Sequence, residues 1–244
     1  MVWFHGGGFV IGSASWPQYN PSKMAALANE KGKPAIIIAV NYRVNIFGNI
    51  ASYDLLEYAK SIGQEGTGNQ GLRDQQTALK WVQKFIRGFG GDPNKVLIFG
   101  ESAGSASCNM HMIAKSSEGL FKRAILESAT AAMTSAFPIE VQDQFYQGVL
   151  KTFGITGSTP KERVEALRAL PLEKIFEKTG QNHPNRATND GVFLDFIPTF
   201  EDIENSNPRL FPTWMDGVMF GCTKDDVSLS KYRTNLRVLS SVSL

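Results

Sequence analysis

The chain has 244 residues, 42% hydrophobic and 20% charged, the composition of an ordinary folded domain. Its net charge is +2 and it contains no run of basic residues, which argues against nucleic acid and anionic membrane as partners. No apolar stretch approaches the roughly 20 residues of a membrane helix, and Met1-Val2-Trp3-Phe4 reads as strand rather than as a leader.

Taken in chain order, residues 2 to 4 form a short apolar strand that runs into His5-Gly6-Gly7-Gly8-Phe9. Residues 21 to 31 suit a helix with Met24, Leu27 and Ala28 on one side. Pro34 introduces residues 35 to 40, a continuous apolar, β-branched run expected of a strand covered on both faces. An Asn- and Gly-rich connection spans residues 45 to 68. Leu72, Leu79, Val82, Ile86 and Phe89 then recur at the spacing of one buried helical stripe, so residues 72 to 89 are expected as a helix. Gly90-Gly91-Asp92-Pro93 stops it. Strands follow at residues 95 to 99 and 124 to 126, with a helix rich in Ala and Ser between them. This alternation predicts a mostly parallel sheet with helices on both faces.

Residues 137 to 212 differ in texture. Residues 141 to 153 are amphipathic, Thr159-Pro160-Lys161-Glu162 is a capping box with proline at the first helical position, and residues 172 to 178 suit a second short helix. Asn, Pro and acidic residues dominate 181 to 208. A strand is expected at 217 to 222. Cys108, on the expected helix after residue 102, and Cys222, on that strand, offer no disulfide framework. Both are expected to be small buried side chains and fit a reducing compartment, without fixing the localisation.

The most specific local signal is Gly100-Glu101-Ser102-Ala103-Gly104, a G-x-S-x-G pattern set between an apolar strand and a helix. A serine on such a sharp turn stands clear of the backbone, and small residues two positions away let strand and helix approach. The alternative is a Gly-rich turn capped by serine. Acyl transfer needs a nucleophile, an oxyanion hole, a base and a group that orients the base. Ser102 is the candidate nucleophile. The amides of Ala103, Gly7 and Gly8 are the candidate oxyanion donors, each worth about 3 to 4 kcal/mol in a transition state.

The surrounding residues resemble type B carboxylesterases, the cholinesterase-like branch of the α/β-hydrolases. The resemblance rests on VWFHGGGFVIGS, NYRVNIFGN, GNQGLRDQQTALKWVQKFIRGFGGDPNKVLIFGESAGSAS, GLFKRAILESA and GCTKDD. It implies an α/β-hydrolase fold, Ser102 as nucleophile, Gly7, Gly8 and Ala103 as oxyanion donors, and Glu101 as an electrostatic neighbour of the serine. It implies Arg43 and Asp74 as a structural ion pair. The acid of the triad maps to Asp226 in Lys224-Asp225-Asp226-Val227, with Asp225 as the alternative. Aspartate stands there for the commoner glutamate and Val227 for glycine.

The order of this triad along a chain is serine, acid, histidine, and no histidine follows Asp226. His5 belongs to the oxyanion strand end, His111 lies too far along its helix from Ser102, and His183 precedes the acid, leaving only a loop to bring it close. The resemblance implies longer chains at both ends, so the expectation is a fragment whose catalytic histidine lies beyond it. Its domain organisation is expected as one partial domain: a sheet core at 1 to 136, a helical insertion at 137 to 212, and an acid-bearing strand and turn at 213 to 230. The expected activity is serine-dependent hydrolysis of a small carboxylic ester, low in the chain by itself, with no cofactor and no metal. Phe9, Phe193 and Phe196 could line its pocket or belong to the core. The alternative is a non-catalytic recognition domain on the same fold, which the retained serine and glycines disfavour.

Overall fold

The computed structural model describes residues 1–179, 185–224 and 226. Strand β1 (Val2–Phe4) leads through α1 (Ser22–Glu30) to β2 (Ile38–Val40). Helices α2 (Asn45–Asn49), α3 (Tyr53–Ser61) and α4 (Gln70–Phe85) follow, then β3 (Leu97–Glu101), α5 (Ala103–Ile113) and β4 (Arg123–Glu127). Beyond these come β5 (Phe137–Pro138), α6 (Ile139–Phe153), α7 (Pro160–Arg168), α8 (Leu172–Thr179), β6 (Thr188–Asn189), α9 (Phe200–Glu204) and β7 (Gly217–Gly221).

Five strands pair in the order β2-β1-β3-β4-β7, every neighbouring pair parallel. Alternation along each strand divides the side chains between two faces. Val2, Phe4, Ile98, Ala124 and Leu126 are buried on one face, where the Phe4 ring meets His111 of α5 at 5.7 Å. On the other, Trp3 meets Phe99 at 5.0 Å and Tyr19 at 5.6 Å, and the start of α1 borders them. Helices thus cover both faces, and each fully buried Phe or Leu contributes roughly 1.5–3 kcal/mol. A second cluster joins Ile46 of α2 to Tyr146, Val149 and Leu150 of α6, Leu167 of α7 and Ile175 of α8. Asp54 on α3 accepts two hydrogen bonds of 2.6 Å from Arg163 on α7, clamping the two helices together.

Several elements depart from expectation. Residues 45 to 68 hold two helices rather than a plain connection. Asn45 takes φ 64° and starts α2, while the Ser52 hydroxyl accepts from Leu55 N at 3.0 Å and caps α3. Strand β2 begins at Ile38, opposite Val2, and Met1 still joins the ladder, its amino group donating to Ile36 O at 2.7 Å and its carbonyl accepting from Ile38 N at 2.9 Å. Helix α4 stops at Phe85 and tightens into a 3-10 turn, Ile86–Phe89, which Gly90 ends at φ 81°. Phe89, the last residue of that turn, is exposed and does not belong to the buried stripe. Cys108 is buried, whereas Cys222 lies just past edge strand β7 and is exposed. The Thr159 capping box is present: its hydroxyl accepts from Glu162 N at 3.2 Å, and the Glu162 carboxylate accepts from Thr159 N.

Candidate active site

The turn at Ser102 is a constrained point of the backbone. Ser102 takes φ 55° and ψ −121°, the dihedrals of the first central residue of a type II′ turn, a position that favours glycine. Its amide donates to Glu127 O at 2.9 Å and its carbonyl accepts from Ala106 N at 2.9 Å. The turn is thereby tied to β4 on one side and to the first turn of α5 on the other. The flanking glycines are required by space: a Cβ on Gly100 would meet Phe4 O at 2.7 Å, and one on Gly104 would collide with the same carbonyl. The Ser102 hydroxyl does not cap α5 and makes no hydrogen bond among the described residues.

Beside it runs the glycine turn that follows β1. A Cβ on Gly6 would lie 3.2 Å from Ser102 Cβ, so the two backbones touch. Gly7, Gly8 and Phe9 take φ 114°, 63° and 60°. The carbonyls in this turn are all engaged. Gly6 O accepts from the His5 ring at 2.8 Å, Gly7 O from Val10 N and Ile11 N, and Gly8 O from the Asn185 side chain at 3.1 Å. Phe9 O accepts from Asn45 N and the Asn49 side chain. In a trans peptide the N–H points opposite the C=O. Holding Gly6 O and Gly7 O therefore fixes the amides of Gly7 and Gly8, and the Ser102 carbonyl likewise fixes the amide of Ala103. None of these three amides donates a backbone hydrogen bond among the described residues. Among the described residues no acceptor takes the place an anion would fill.

Three carboxylates gather at the same end of the sheet. Glu101 and Glu127 are register partners on β3 and β4. Burial raises the pKa of Glu101, and the charges of Asp226 and Glu127 raise it further; burial also raises that of Glu127. Asp226 is exposed, with its amide donating to Thr223 O at 3.3 Å. The fold has therefore carried it from the end of β7 to the neighbourhood of Glu101. A cavity of about 340 Å³ adjoins Glu101 and Glu127 and is walled by Trp3, Tyr19, Met24 and Phe99; neither Ser102 nor Gly7 nor Gly8 lines it. Asp225 and His183 lie outside the described residues.

The other two histidines are structural. His111 is buried with both ring nitrogens engaged, Nδ1 by the Ser117 hydroxyl and Nε2 by Gln75 Oε1, each at 3.0 Å. Gln75 Oε1 is an acceptor, because its amide nitrogen donates to Ser107, so His111 carries its proton on Nε2. Burial pushes its pKa down to about 3. His5 stacks on Tyr42, whose hydroxyl donates to His5 O at 2.5 Å, and burial lowers its pKa as well. Neither bonds to Ser102. Arg43 and Asp74 form a bidentate pair at 2.8 and 2.7 Å. Phe9 and Phe193 belong to the core, and half-buried Phe196 packs against it with the Arg209 guanidinium over its ring. The residues that brace the glycine turn, Asn45, Asn49 and Asn185, were not evident in the sequence: Asn185 acts across 177 positions.

A parallel sheet with helices on both faces, and a serine held on a sharp strand-to-helix turn, is the α/β-hydrolase architecture. Within it the chain belongs to the carboxylesterase family, whose pattern matches residues 1–241. It is 36% identical over 206 residues to Lipase 4 of Diutina rugosa, covering 81% of this chain and 35% of that protein. It is 35% identical over 232 residues to the cholinesterase of Mus musculus, covering 93% and 36%. Its fold superposes on a Geobacillus stearothermophilus carboxylesterase with a TM-score of 0.74 and 31% identity, over 93% of this chain and 46% of the other. The chain thus spans about a third of the length of the curated relatives it matches.

Proposed function

We propose that this chain carries the nucleophile and oxyanion hole of a serine-dependent carboxylic ester hydrolase. The observation behind the reading is the Ser102 backbone, held at φ 55° and ψ −121° at the head of α5 against a glycine turn with two fixed, unused amides. Ser102 Oγ attacks the ester carbonyl carbon as its proton passes to a base. The carbonyl oxygen becomes an oxyanion that accepts hydrogen bonds from Gly7, Gly8 and Ala103. Collapse breaks the bond to the alcohol, which leaves with a proton, and water then releases the acid from the acyl-serine. Asp226 is the acid that would orient the base, and Glu101 adds negative potential beside the serine. No described histidine reaches Ser102, and loss of a triad histidine costs about a millionfold in kcat, so turnover by this chain is expected to be minimal.

An external base tests the reading. The purified chain is treated with p-nitrophenyl acetate, with and without imidazole, and the Ser102 peptide is examined by mass spectrometry. The expected result is an imidazole-dependent acetyl group on Ser102 that Ser102→Ala abolishes. Absence of any Ser102-dependent acylation would sink the assignment of the nucleophile. Rapid turnover without imidazole would sink the statement that no base reaches it.

A further inference from the structure

Helix α4 buries Leu72, Leu79 and Val82 against the sheet, but its outer side is not the polar surface such a helix ordinarily shows. Trp81, Phe85 and Phe89 are 43%, 44% and 66% exposed. The Trp81 ring joins the other two, 5.6 Å from Phe85 and 5.7 Å from Phe89. Three touching exposed aromatics form a continuous apolar ridge rather than scattered single residues. Phe89 is the last residue of the 3-10 turn that follows α4.

The charge around the ridge is predominantly positive. Between residues 76 and 95 there are four basic side chains, Lys80, Lys84, Arg87 and Lys95, and one acidic one, Asp92. All four are exposed, and Asp92 is engaged by Lys95 at 3.8 Å. The Lys84 ammonium lies over the Phe85 ring at 5.0 Å, a cation–π contact that joins the basic residues to the ridge. The basic residues do not form a run in the sequence. Lys80 and Lys84 on α4 and Arg87 on the turn after it are sequence neighbours of Trp81, Phe85 and Phe89, so the absence of a basic run, which argued against an anionic membrane, does not hold against this local surface. Ser102 follows the far end of β3, five residues after Leu97 and so roughly 16 Å from it along the strand.

We propose that this ridge docks the chain onto an anionic lipid surface. Trp81, Phe85 and Phe89 enter the boundary between headgroups and acyl chains, and Lys80, Lys84 and Arg87 meet the phosphates. Aromatic residues on one side of a helix with Lys and Arg on the adjoining side are the chemistry of interfacial binding. A ridge on the outside of a helix also offers no groove for a peptide.

The full chain is centrifuged with vesicles of phosphatidylcholine alone and with vesicles that also contain phosphatidylserine, at low and high salt. Binding is expected only to the anionic vesicles and is expected to weaken as salt rises. Lys84→Glu/Arg87→Glu and Phe85→Ala/Phe89→Ala should each weaken it at least tenfold, on the order of the effect of removing one or two interfacial contacts. Circular dichroism and thermal unfolding matching the parent confirm that the variants are folded. Three outcomes overturn the proposal: equal binding to both vesicle types or to neither; variants that bind like the parent; or self-association without vesicle binding, lost in Phe85→Ala/Phe89→Ala, which would assign the ridge to a second copy of the chain.

Discussion

Gly104 of α5 lies against the Phe4 carbonyl of β1, and the hydrogen in place of a side chain is what lets helix and strand meet. A methyl group there would strike the Phe4 carbonyl and crowd that of His5. Gly104→Ala is therefore expected to destabilise the chain by about 1–3 kcal/mol through overpacking, despite alanine's better helix propensity. Gly148 of α6 is the control. Nothing lies within 4 Å of a Cβ built on it, so Gly148→Ala should stabilise by about 0.5–1 kcal/mol. Urea unfolding of the two variants should give changes of opposite sign. A shared sign would contradict the close approach at Gly104.

The buried His111 makes stability depend on pH. Its native pKa is pushed down to about 3, against an ordinary 6.5. As pH falls below 6.5 the unfolded chain takes up a proton that the native state refuses. The contribution of the neutral ring is therefore complete above 6.5 and declines toward 3, by at most about 1.4 kcal/mol per pH unit. His111→Gln keeps hydrogen-bonding capacity toward Gln75 and Ser117 but does not titrate. Urea midpoints measured from pH 7 down to about 4 should fall less steeply in the variant. Parallel curves would show that His111 does not carry the dependence.

The clamp between α3 and α7 is a nearly buried ion pair, with 9% of the Asp54 side chain and 23% of the Arg163 side chain exposed. Arg163→Ala strands the carboxylate away from water and should cost about 3 kcal/mol. Arg163→Ala combined with Asp54→Asn should cost less than the sum of the two single changes. Hydrogen bonds from Arg163 hold the Asp54 pKa below its ordinary 3.8. The contribution of the pair is thus complete above that value and is lost as pH falls through the lower native one. Additive losses across the double-mutant cycle would mean that the two residues do not act together.

What could be read from the sequence was what lies close along the chain. The elbow at residues 100 to 104 and the Thr159 capping box are local patterns whose physics needs only a few neighbours, and the structure contains both. Helix α3 carried a readable cue in Ser52, three residues before the amide it caps, but the Asn- and Gly-rich sequence around it looked like loop. Helix α9 likewise begins with Thr199 and Asp202 capping each other inside a stretch rich in Asn and acids. The bracing of the glycine turn was not readable, because Asn45, Asn49 and Asn185 reach it through the fold. The proximity of Asp226 to Glu101 depends on β7 pairing with β4, a contact across 90 or more residues.

Ser102 is a non-glycine residue in a conformation that suits glycine, and such a residue costs of order 1–3 kcal/mol. The surrounding contacts hold it there: its amide is bound to Glu127 O, and Gly6, Gly100 and Gly104 pack around it. Ser102→Gly removes the strain without disturbing those contacts, since the Ser102 hydroxyl makes no hydrogen bond among the described residues. Part of the gain is offset by the extra freedom glycine gives the unfolded chain, about 0.5–1 kcal/mol. The variant should therefore unfold at higher urea than the parent, by about 1 kcal/mol of stability, and should accept no acetyl group from p-nitrophenyl acetate with imidazole present. Ser102→Ala loses the acyl acceptor too but keeps the Cβ, so it should show no comparable gain. Equal stability of the glycine and alanine variants would mean that the turn is not strained. A less stable glycine variant would mean that the serine side chain supports the fold, and its strained backbone would then need no explanation in chemistry.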